Sequence, residues 1–286
     1  MRDKQGEWSV LNTQSVPLGK TAEGGARAGG RGGRSQHWLG WLSLPVGLAI
    51  LLALWAGLSQ LYPPFILPGP VDVAARFAQA LTDGTLVRHL SVTLVEALLG
   101  FALGFVVAVI LGYGIAKQPL VERIISPYVV ASQAVPIVAL APLLILWFGH
   151  GLASKVLVCA LVVFFPILVN VLQAMRTVDR DMINLARAYS LTRSQIFWKI
   201  EFPSSLPALM AGLRIGATLA VIGVTVGELV GGNTGLGYLI TYAEGQANAA
   251  MVFNAILLLT VIGIVLYGIV AAAEERILHY IPKARR

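Results

Sequence analysis

The stretch LSVTLVEALLGFALGFVVAVILGYGIA, residues 90–116, contains a single charged side chain, that of Glu96. A helix of about 20 apolar residues spans the hydrocarbon core of a bilayer, so this stretch predicts a membrane-spanning helix. Working outward along the chain, we find further runs of the same kind. The predicted spans are 38–61, 90–116, 128–148, 156–175, 206–230 and 251–272. They indicate an all-α polytopic membrane protein with six transmembrane helices.

The composition agrees with this fold class. Of the 286 residues, 57% are hydrophobic and 12% are charged, whereas soluble domains carry roughly 25% charged residues. Lipid is therefore the solvent for much of the surface. No removable signal peptide is predicted, because the first apolar run begins only at residue 38 and lacks a small-residue cleavage signature.

The distribution of cations predicts the orientation in the membrane. Most of the 21 Lys and Arg residues precede the first span, follow the last one, or lie in the second-to-third and fourth-to-fifth connections. Arg76, Arg88 and Lys155 lie on the other side. By the positive-inside rule, both termini are predicted to be cytoplasmic. The net charge of +7 then reflects topology and contact with anionic membrane lipid, not binding of nucleic acid.

Residues 1–37 differ from the rest of the chain, because GGARAGGRGGR at 24–34 is rich in Gly and Arg and poor in apolar residues. Such a segment cannot bury enough surface to fold, so a disordered, basic cytoplasmic leader is predicted. An RNA-contacting arm is the alternative. Gly19-Lys20-Thr21 resembles the end of a phosphate-binding loop, but Gln14 occupies the position of the required first glycine. The chain is therefore not expected to bind ATP by this route.

No catalytic or metal-binding residue is predicted. The one cysteine, Cys159, lies in the middle of an apolar span, where a thiol is inert and has no disulfide partner. The four histidines are scattered and lack metal-ligand spacing. A nucleophile elbow and a helical HExxH motif are both missing from the sequence. The sequence therefore gives no support for an enzyme.

The polar stretch NLARAYSLTRSQIFWKIEFP, residues 184–203, separates two apolar spans. Helical spacing relates four residues at its start: Met182, Leu185, Ala186 and Tyr189. A short amphipathic helix is predicted from about 180 to 189. Ser190 or Thr192 caps a second predicted helix that ends before Pro203. Periodicity alone leaves open a helix that lies on lipid headgroups.

This stretch resembles the cytoplasmic EAA loop of ATP-binding-cassette importer permeases, whose pattern is E-A-A, three residues, G, nine residues, I-x-L-P. The spacing is kept by Asn184-Leu185-Ala186, Ser190, Ile200, Phe202 and Pro203. Four residues differ from the consensus pattern: Asn184 replaces Glu, Leu185 replaces Ala, Ser190 replaces Gly and Phe202 replaces Leu. These departures put the strength of coupling in question.

The flanking sequence strengthens the resemblance. Residues 132–170 and 206–240, which include SQAVPIVALAPLLILWFGHG and GELVGGNTGLGYLI, are similar to the nitrate/sulfonate/taurine-type permeases. That group also includes transporters of thiamine-pyrimidine precursors and of riboflavin. The resemblance covers about residues 60–275. It implies a type I ABC importer permease fold, with a transmembrane permease domain at 38–275, a coupling loop at about 176–203 and a basic cytoplasmic tail at 276–286.

The resemblance also implies partners. Two copies of a separate ABC ATPase would bind ATP and Mg and would receive the coupling helix in a cleft. A second permease copy would complete the pathway, most simply as a C2 homodimer, with a heterodimer left open. An extracytoplasmic substrate-binding protein would deliver the solute, and the location would be the bacterial inner membrane.

Particular residues take roles from this resemblance. Ala186 would pack closely, Arg187 would pair with an ATPase carboxylate, and Tyr189 would supply buried contact area. Ser190 would keep the turn although serine adopts positive φ less easily than glycine. The full set of predicted coupling residues is Asn184, Leu185, Ala186, Arg187, Tyr189, Ser190 and Pro203.

Charged residues within the spans are costly and face a cavity or a partner. Glu96 is expected in the translocation pathway or in an interhelical hydrogen bond. Glu228 is expected near the external surface, in gating, in contact with the binding protein, or solvated. Arg214 is expected to extend toward the cytoplasmic headgroups. Pro136 and Pro142 kink the third span, and together with Ser132 and Gln133 are predicted to border the pathway.

Two further patterns concern packing and docking. The pairs Gly100/Gly104, Gly212/Gly216 and Gly223/Gly227 have the small-xxx-small spacing of closely packed membrane helices. In residues 62–81, a Pro-rich entry is followed by a predicted short amphipathic helix with the apolar residues Val71, Ala75, Phe77 and Leu81. With the GNTGLGY loop, this helix would form a platform for the binding protein.

The function predicted is that of a permease subunit of an ATP-driven, binding-protein-dependent importer, which moves a small organic solute by alternating access. Sulfonates, nitrate or taurine-like anions, pyrimidines and flavins all remain as substrates. Two alternatives stay open: an ion-coupled secondary transporter that works alone, and a membrane scaffold.

Overall fold

The computed structural model describes residues 36–279, with side chains from Pro45 onward. Every regular element in that range is helical. The helices are α1 (Gln36–Ser59), α2 (Pro70–Thr82), α3 (Thr85–Ala116), α4 (Pro119–Ser132), α5 (Ala141–Phe148), α6 (Leu152–Arg176), α7 (Arg180–Ala188), α8 (Arg193–Ile196), α9 (Phe202–Gly231), α10 (Leu236–Gly245) and α11 (Ala249–Ile277). A 3₁₀ turn at Ile137–Leu140 precedes α5, and a π turn at Phe197–Glu201 joins α8 to α9.

The chain divides into two units, Met1–Ile50 and Leu51–Arg286, and α1 contributes to both. Residues 1–35 of the predicted leader and 280–286 of the predicted basic tail lie outside the described residues. The interhelical contacts given below all belong to the second unit.

Four helical segments among the described residues are long and apolar enough to cross a membrane: α3, α6, α11 and the segment Arg193–Gly231. Pro119–Ser132 and Ile137–Phe148 would make a fifth span if the pair is counted as one. Within α1, the apolar part with described side chains is Pro45–Ser59, which is shorter than a full span. The count of six spans therefore stays a prediction.

The predicted third span, 128–148, is not one helix. The chain bends by 81° between α4 and the segment Ile137–Phe148. Pro136 directly precedes the 3₁₀ turn, and Pro142 lies in the first turn of α5, where its missing N–H costs no helical hydrogen bond. The expected kink is thus a complete break.

Helix α6 packs against α3 on one side and α9 on the other. Glycines of the predicted pairs lie where α3 crosses α6 and where α9 crosses α6. A Cβ on Gly104 would lie 2.6 Å from the Ala160 carbonyl oxygen, and one on Gly223 would lie 2.8 Å from the Cys159 Cα. The packing role of these glycines is confirmed, and the Cys159 thiol is buried at this crossing.

Replacing Gly104 by alanine is expected to destabilise the protein by about 1–3 kcal/mol, because the new methyl group meets backbone that cannot move aside. Gly114→Ala is the matched control in the same helix, since nothing lies within 4 Å of the Cβ position there. Thermal unfolding in detergent measures both. Equal melting temperatures for the two variants would contradict the close approach of α3 and α6.

Helix α2 is amphipathic as predicted, and Phe77 packs against the buried cluster that contains Ala80, but two other predicted apolar residues, Val71 and Leu81, do not face inward. Val71 is 79% exposed, and Leu81 is also exposed. The inward face instead carries Val73 and Ala80, which are buried, and Asn254 of α11 donates a 3.1 Å hydrogen bond from Nδ2 to the Val73 carbonyl. Periodicity fixes the spacing of a face but not which apolar residues meet the neighbouring helix.

Candidate functional site

The segment 179–203 forms two short helices joined by a tight turn. Asp179 caps α7 by accepting a hydrogen bond from the Asp181 amide at 2.8 Å. Thr192 caps α8, since its Oγ1 accepts from the Gln195 amide while the Thr192 amide donates to Gln195 Oε1. The predicted pair of helices is present, and Thr192, not Ser190, provides the cap.

Ser190 occupies the glycine position of the EAA pattern and has a φ of 58°. Its amide donates to the Arg187 carbonyl at 2.9 Å, and the Leu191 amide donates to the Ala186 carbonyl at 3.0 Å. These hydrogen bonds end α7 in the left-handed turn that glycine usually provides. The turn of the pattern is therefore kept at the cost of an unfavourable backbone conformation.

Ser190→Gly is expected to stabilise this turn by about 0.5–1 kcal/mol, because glycine adopts positive φ without a Cβ clash. Ser194→Gly is the control, since Ser194 lies in the first turn of α8 and its φ is not positive. Tryptic cleavage after Arg187 or Arg193 should slow about threefold in the first variant. Faster or unchanged cleavage would contradict the strained turn.

The predicted end of the second helix before Pro203 was wrong. The π turn widens the backbone so that the Phe202 amide donates to the Phe197 carbonyl, and the chain then enters α9. Pro203 is the second residue of α9, which follows the π turn directly. Arg193–Gly231 is consequently one 39-residue helical segment.

Four large apolar side chains on this loop are exposed, and we call them the loop face: Met182, Leu185, Tyr189 and Trp198. Leu185 is 60% exposed and Tyr189 is 75% exposed. Asn184 and Arg187 are also exposed. Ala186, in contrast, is 6% exposed, so its close packing is with its own chain. A charged side chain at position 186 would disturb the loop itself.

Two polar contacts hold the base of the loop, and sequence reasoning identified neither. Glu201, in the π turn, is 2% exposed; it accepts a hydrogen bond from the Tyr113 hydroxyl at 3.1 Å and pairs with Lys117. Arg176 Nε lies 2.6 Å from Glu122 Oε1. The signal available in the sequence was a carboxylate followed immediately by an apolar span.

A second polar cluster lies at the opposite end of the helices. Lys155 Nζ on α6 lies 2.7 Å from Glu96 Oε1 on α3, and both side chains are less than 5% exposed. Lys155 also donates to the Thr234 carbonyl at 3.2 Å. The second Glu96 oxygen has no hydrogen-bond partner among the described residues. The interhelical contact expected of Glu96 is present as a buried ion pair, although Lys155 was expected only as a surface cation.

Glu228 is fully buried, which excludes solvation, one of the two alternatives expected for it, while a role in gating or receptor contact stays a prediction. Its Oε1 accepts a 2.6 Å hydrogen bond from Thr93 Oγ1, and its Oε2 accepts one of 2.6 Å from the Gly237 amide. Gly235 has a φ of 112°, and a Cβ there would lie 2.0 Å from Glu228 Oε1. This GNTGLG loop is thus closed around the carboxylate.

Further hydrogen bonds attach the same loop to α3. The Leu236 amide donates to Thr93 Oγ1 at 2.7 Å, and His89 Nδ1 lies 3.0 Å from both the amide nitrogen and the carbonyl oxygen of Gly235. The predicted pathway residues Ser132, Gln133 and Pro136 lie apart from this cluster along the chain, at the break after α4. Ser132 Oγ donates to the Val129 carbonyl at 2.7 Å.

Among the described residues, no group of His, Cys, Asp or Glu side chains is placed to hold a metal ion. The site therefore consists of an exposed apolar loop face at one end, a buried polar cluster at the other, and a continuous helix between them.

Comparison with known proteins identifies the family. Residues 100–279 match the model of the binding-protein-dependent transport system inner membrane component. The chain belongs to this family. This permease is 46% identical over 249 residues to the riboflavin transport system permease protein RibX of Chloroflexus aurantiacus, covering 86% of this chain and 92% of that one. It is 35% identical over 230 residues to the formylaminopyrimidine transport permease protein ThiX of Halalkalibacterium halodurans, covering 80% and 92%.

The predicted family is thereby confirmed: the chain is a membrane-spanning permease subunit of an ABC importer, and its relatives are named as transport permeases. It is also 28% identical over 244 residues to the taurine transport system permease protein TauC of Escherichia coli, covering 82% and 89%. Among solved structures, an inward-facing MetNI methionine ABC transporter matches with a TM-score of 0.58 at 22% identity, over 71% of this chain and 98% of that one. The similarity to the MetNI structure shows a shared fold.

Proposed function

We propose that this permease imports a small organic solute with energy from a separate ATPase, and that the loop 179–203 is the coupling element. The loop face carries the proposal. Exposed leucine, tyrosine and tryptophan side chains on a structured polar loop are typical of a protein-binding surface. Arg187, which is exposed on the same helix, would pair with an ATPase carboxylate.

The assembly we propose contains two copies of this chain, two ATPases that hold ATP and Mg, and one extracytoplasmic binding protein. Each permease copy has one described coupling loop, and two ATPases require two. A C2 homodimer is the simplest closed arrangement. Cation placement supports cytoplasmic termini in the bacterial inner membrane.

The continuous segment Arg193–Gly231 supports a mechanism of alternating access. Its first turn belongs to the coupling loop, and its last turn carries Glu228, which holds the GNTGLG loop. A helix without a break transmits a tilt from one end to the other better than two separate helices would. ATP-driven movement of the loop would therefore reach the external end.

Co-purification tests this proposal. The tagged permease, extracted in mild detergent, should retain its cognate ATPase in a complex of two permeases and two ATPases by native mass spectrometry. An ion-coupled secondary transporter would purify alone and would support proton- or sodium-driven uptake. Failure to retain any ATPase under conditions that preserve the permease dimer would overturn the proposed coupling.

A further inference from the structure

Two adjacent cavities lie between the loop 179–203 and the ends of α3 and α6, with volumes of about 460 and 640 Å³. These volumes fall within the range of about 300–1,000 Å³ that is typical of small-ligand pockets. We call the two cavities the basic cleft, because both are lined by cations. The cationic residues of the basic cleft are Lys117, Arg176, Arg180, Arg187 and Arg193.

Two carboxylates also line the basic cleft, and each is already paired. Glu122 Oε1 lies 2.6 Å from Arg176 Nε. Glu201, which is almost fully buried, pairs with Lys117. These two carboxylates therefore compensate only two of the cations.

The other three cations of the basic cleft are arginines without a carboxylate partner. Arg180, Arg187 and Arg193 form no ion pair with any described residue. The nearby carboxylates Asp179 and Asp181 line neither cavity. Because like charges around one space repel each other, an anion in the basic cleft would stabilise this arrangement.

The basic cleft lies at a membrane boundary. Two of the candidate membrane spans, α3 and α6, end beside it at Ala116 and Arg176, which is the depth of phospholipid headgroups. An arginine near a span end is not always available to a lipid. Arg214 Nε lies 2.6 Å from Glu274 Oε2, so the expectation that Arg214 simply extends to the headgroups was wrong.

An apolar stripe on α4 adjoins the basic cleft. Leu120, Ile124 and Tyr128 are exposed and are spaced four residues apart, which places them along one side of the helix. Pro119, the first residue of α4, lines the first cavity. A free phosphate ion would use the arginines alone, whereas a phospholipid also needs an apolar surface beside them. The position of the stripe therefore favours a lipid.

We propose that the basic cleft binds the phosphate group of an anionic phospholipid, whose acyl chains lie along the apolar stripe of α4. Arginine presents several N–H donors to phosphate oxygens, and basic pockets between membrane helices bind such headgroups. Arg180 and Arg187 belong to α7, so a bound headgroup would tie the loop 179–203 to the ends of the spans. The inference goes beyond the proposed import function, since neither an ATPase nor a solute takes part in it.

Native mass spectrometry of the lipid-depleted, full-length permease tests the site. In titrations with phosphatidylglycerol and phosphatidylcholine, the first lipid should bind at least about tenfold more tightly, because only it carries a net negative charge. The double variant Arg180→Gln/Arg193→Gln should lose about tenfold or more of the affinity for phosphatidylglycerol. Arg123→Gln is the matched control, since Arg123 is exposed on α4 but lines neither cavity.

Inorganic phosphate distinguishes a lipid from a free ion. Phosphatidylglycerol should remain bound in excess phosphate to the same extent as in sodium chloride of equal ionic strength, which controls for screening. Displacement by phosphate and not by chloride would assign the cleft to a free anion and overturn the inference. Equal affinity of the unmodified permease for the two lipids would overturn it without any variant. Equal losses in Arg123→Gln and the double variant would show a general surface charge effect and would also overturn it.

Discussion

Replacing Tyr189 by alanine is expected to weaken binding of the ATPase about 30-fold, which corresponds to a loss of about 2 kcal/mol for a central interface aromatic. ATP-driven uptake should fall by a similar factor when the ATPase is limiting. The side chain is 75% exposed, so the fold of the permease itself loses little. Titration of detergent-purified permease with the ATPase measures the affinity.

Tyr242→Ala is the control for this prediction. Tyr242 is also largely exposed but lies on α10, away from the coupling loop. Its variant should bind the ATPase with unchanged affinity. If Tyr189→Ala and Tyr242→Ala bind the ATPase equally well, the loop face is not the docking surface.

Replacing Lys155 by methionine is expected to destabilise the permease by about 3–5 kcal/mol, because the Glu96 carboxylate then stays buried without a counter-charge. The ion pair is 2.7 Å long, and both side chains are almost fully buried. The variant also loses the hydrogen bond to the Thr234 carbonyl. Thermal unfolding in detergent should show a large fall in melting temperature.

The double variant Glu96→Gln/Lys155→Met provides the matched control. It removes both charges together, so most of the lost stability should return. Lys155→Met alone melting like the unmodified protein would mean that the two charges do not meet. A double variant no better than Lys155→Met would mean that packing, not charge, determines the loss.

Hydropathy and small-residue spacing predicted what depends on local sequence. The long apolar spans at 90–116 and 251–272 are helices, because lipid demands that each backbone hydrogen bond be made within the segment. The glycine pairs on α3 and α9 contact α6, because only glycine permits such a close approach. The two-helix loop followed from its polar and apolar periodicity and its capping residues.

Residue depth and facing depend on tertiary contacts, and here the sequence was a poor guide. Glu228 was placed near the external surface by the predicted topology, yet its carboxylate is buried and accepts a hydrogen bond from Thr93 of α3. Lys155 was expected to be a surface cation, but it forms an ion pair with Glu96 of α3. In α2, Val73 and not Val71 faces inward. Each error concerns a partner that is distant in sequence.

Pro203 illustrates a different limit. Proline normally marks the beginning or end of a helix, so a boundary was predicted there. The π turn at Phe197–Glu201 shifts the hydrogen bonding and lets the helix continue from the loop into α9. No residue pattern in the sequence predicts a π turn at this position.

The most direct measurement is uptake into proteoliposomes that contain the permease, its cognate ATPase and its binding protein loaded with the ligand that co-purifies with it. We expect uptake only with ATP on the ATPase side, and none when the ATPase is omitted or lacks hydrolysis. Uptake at the full rate by the permease alone, without ATPase or nucleotide, would contradict the account.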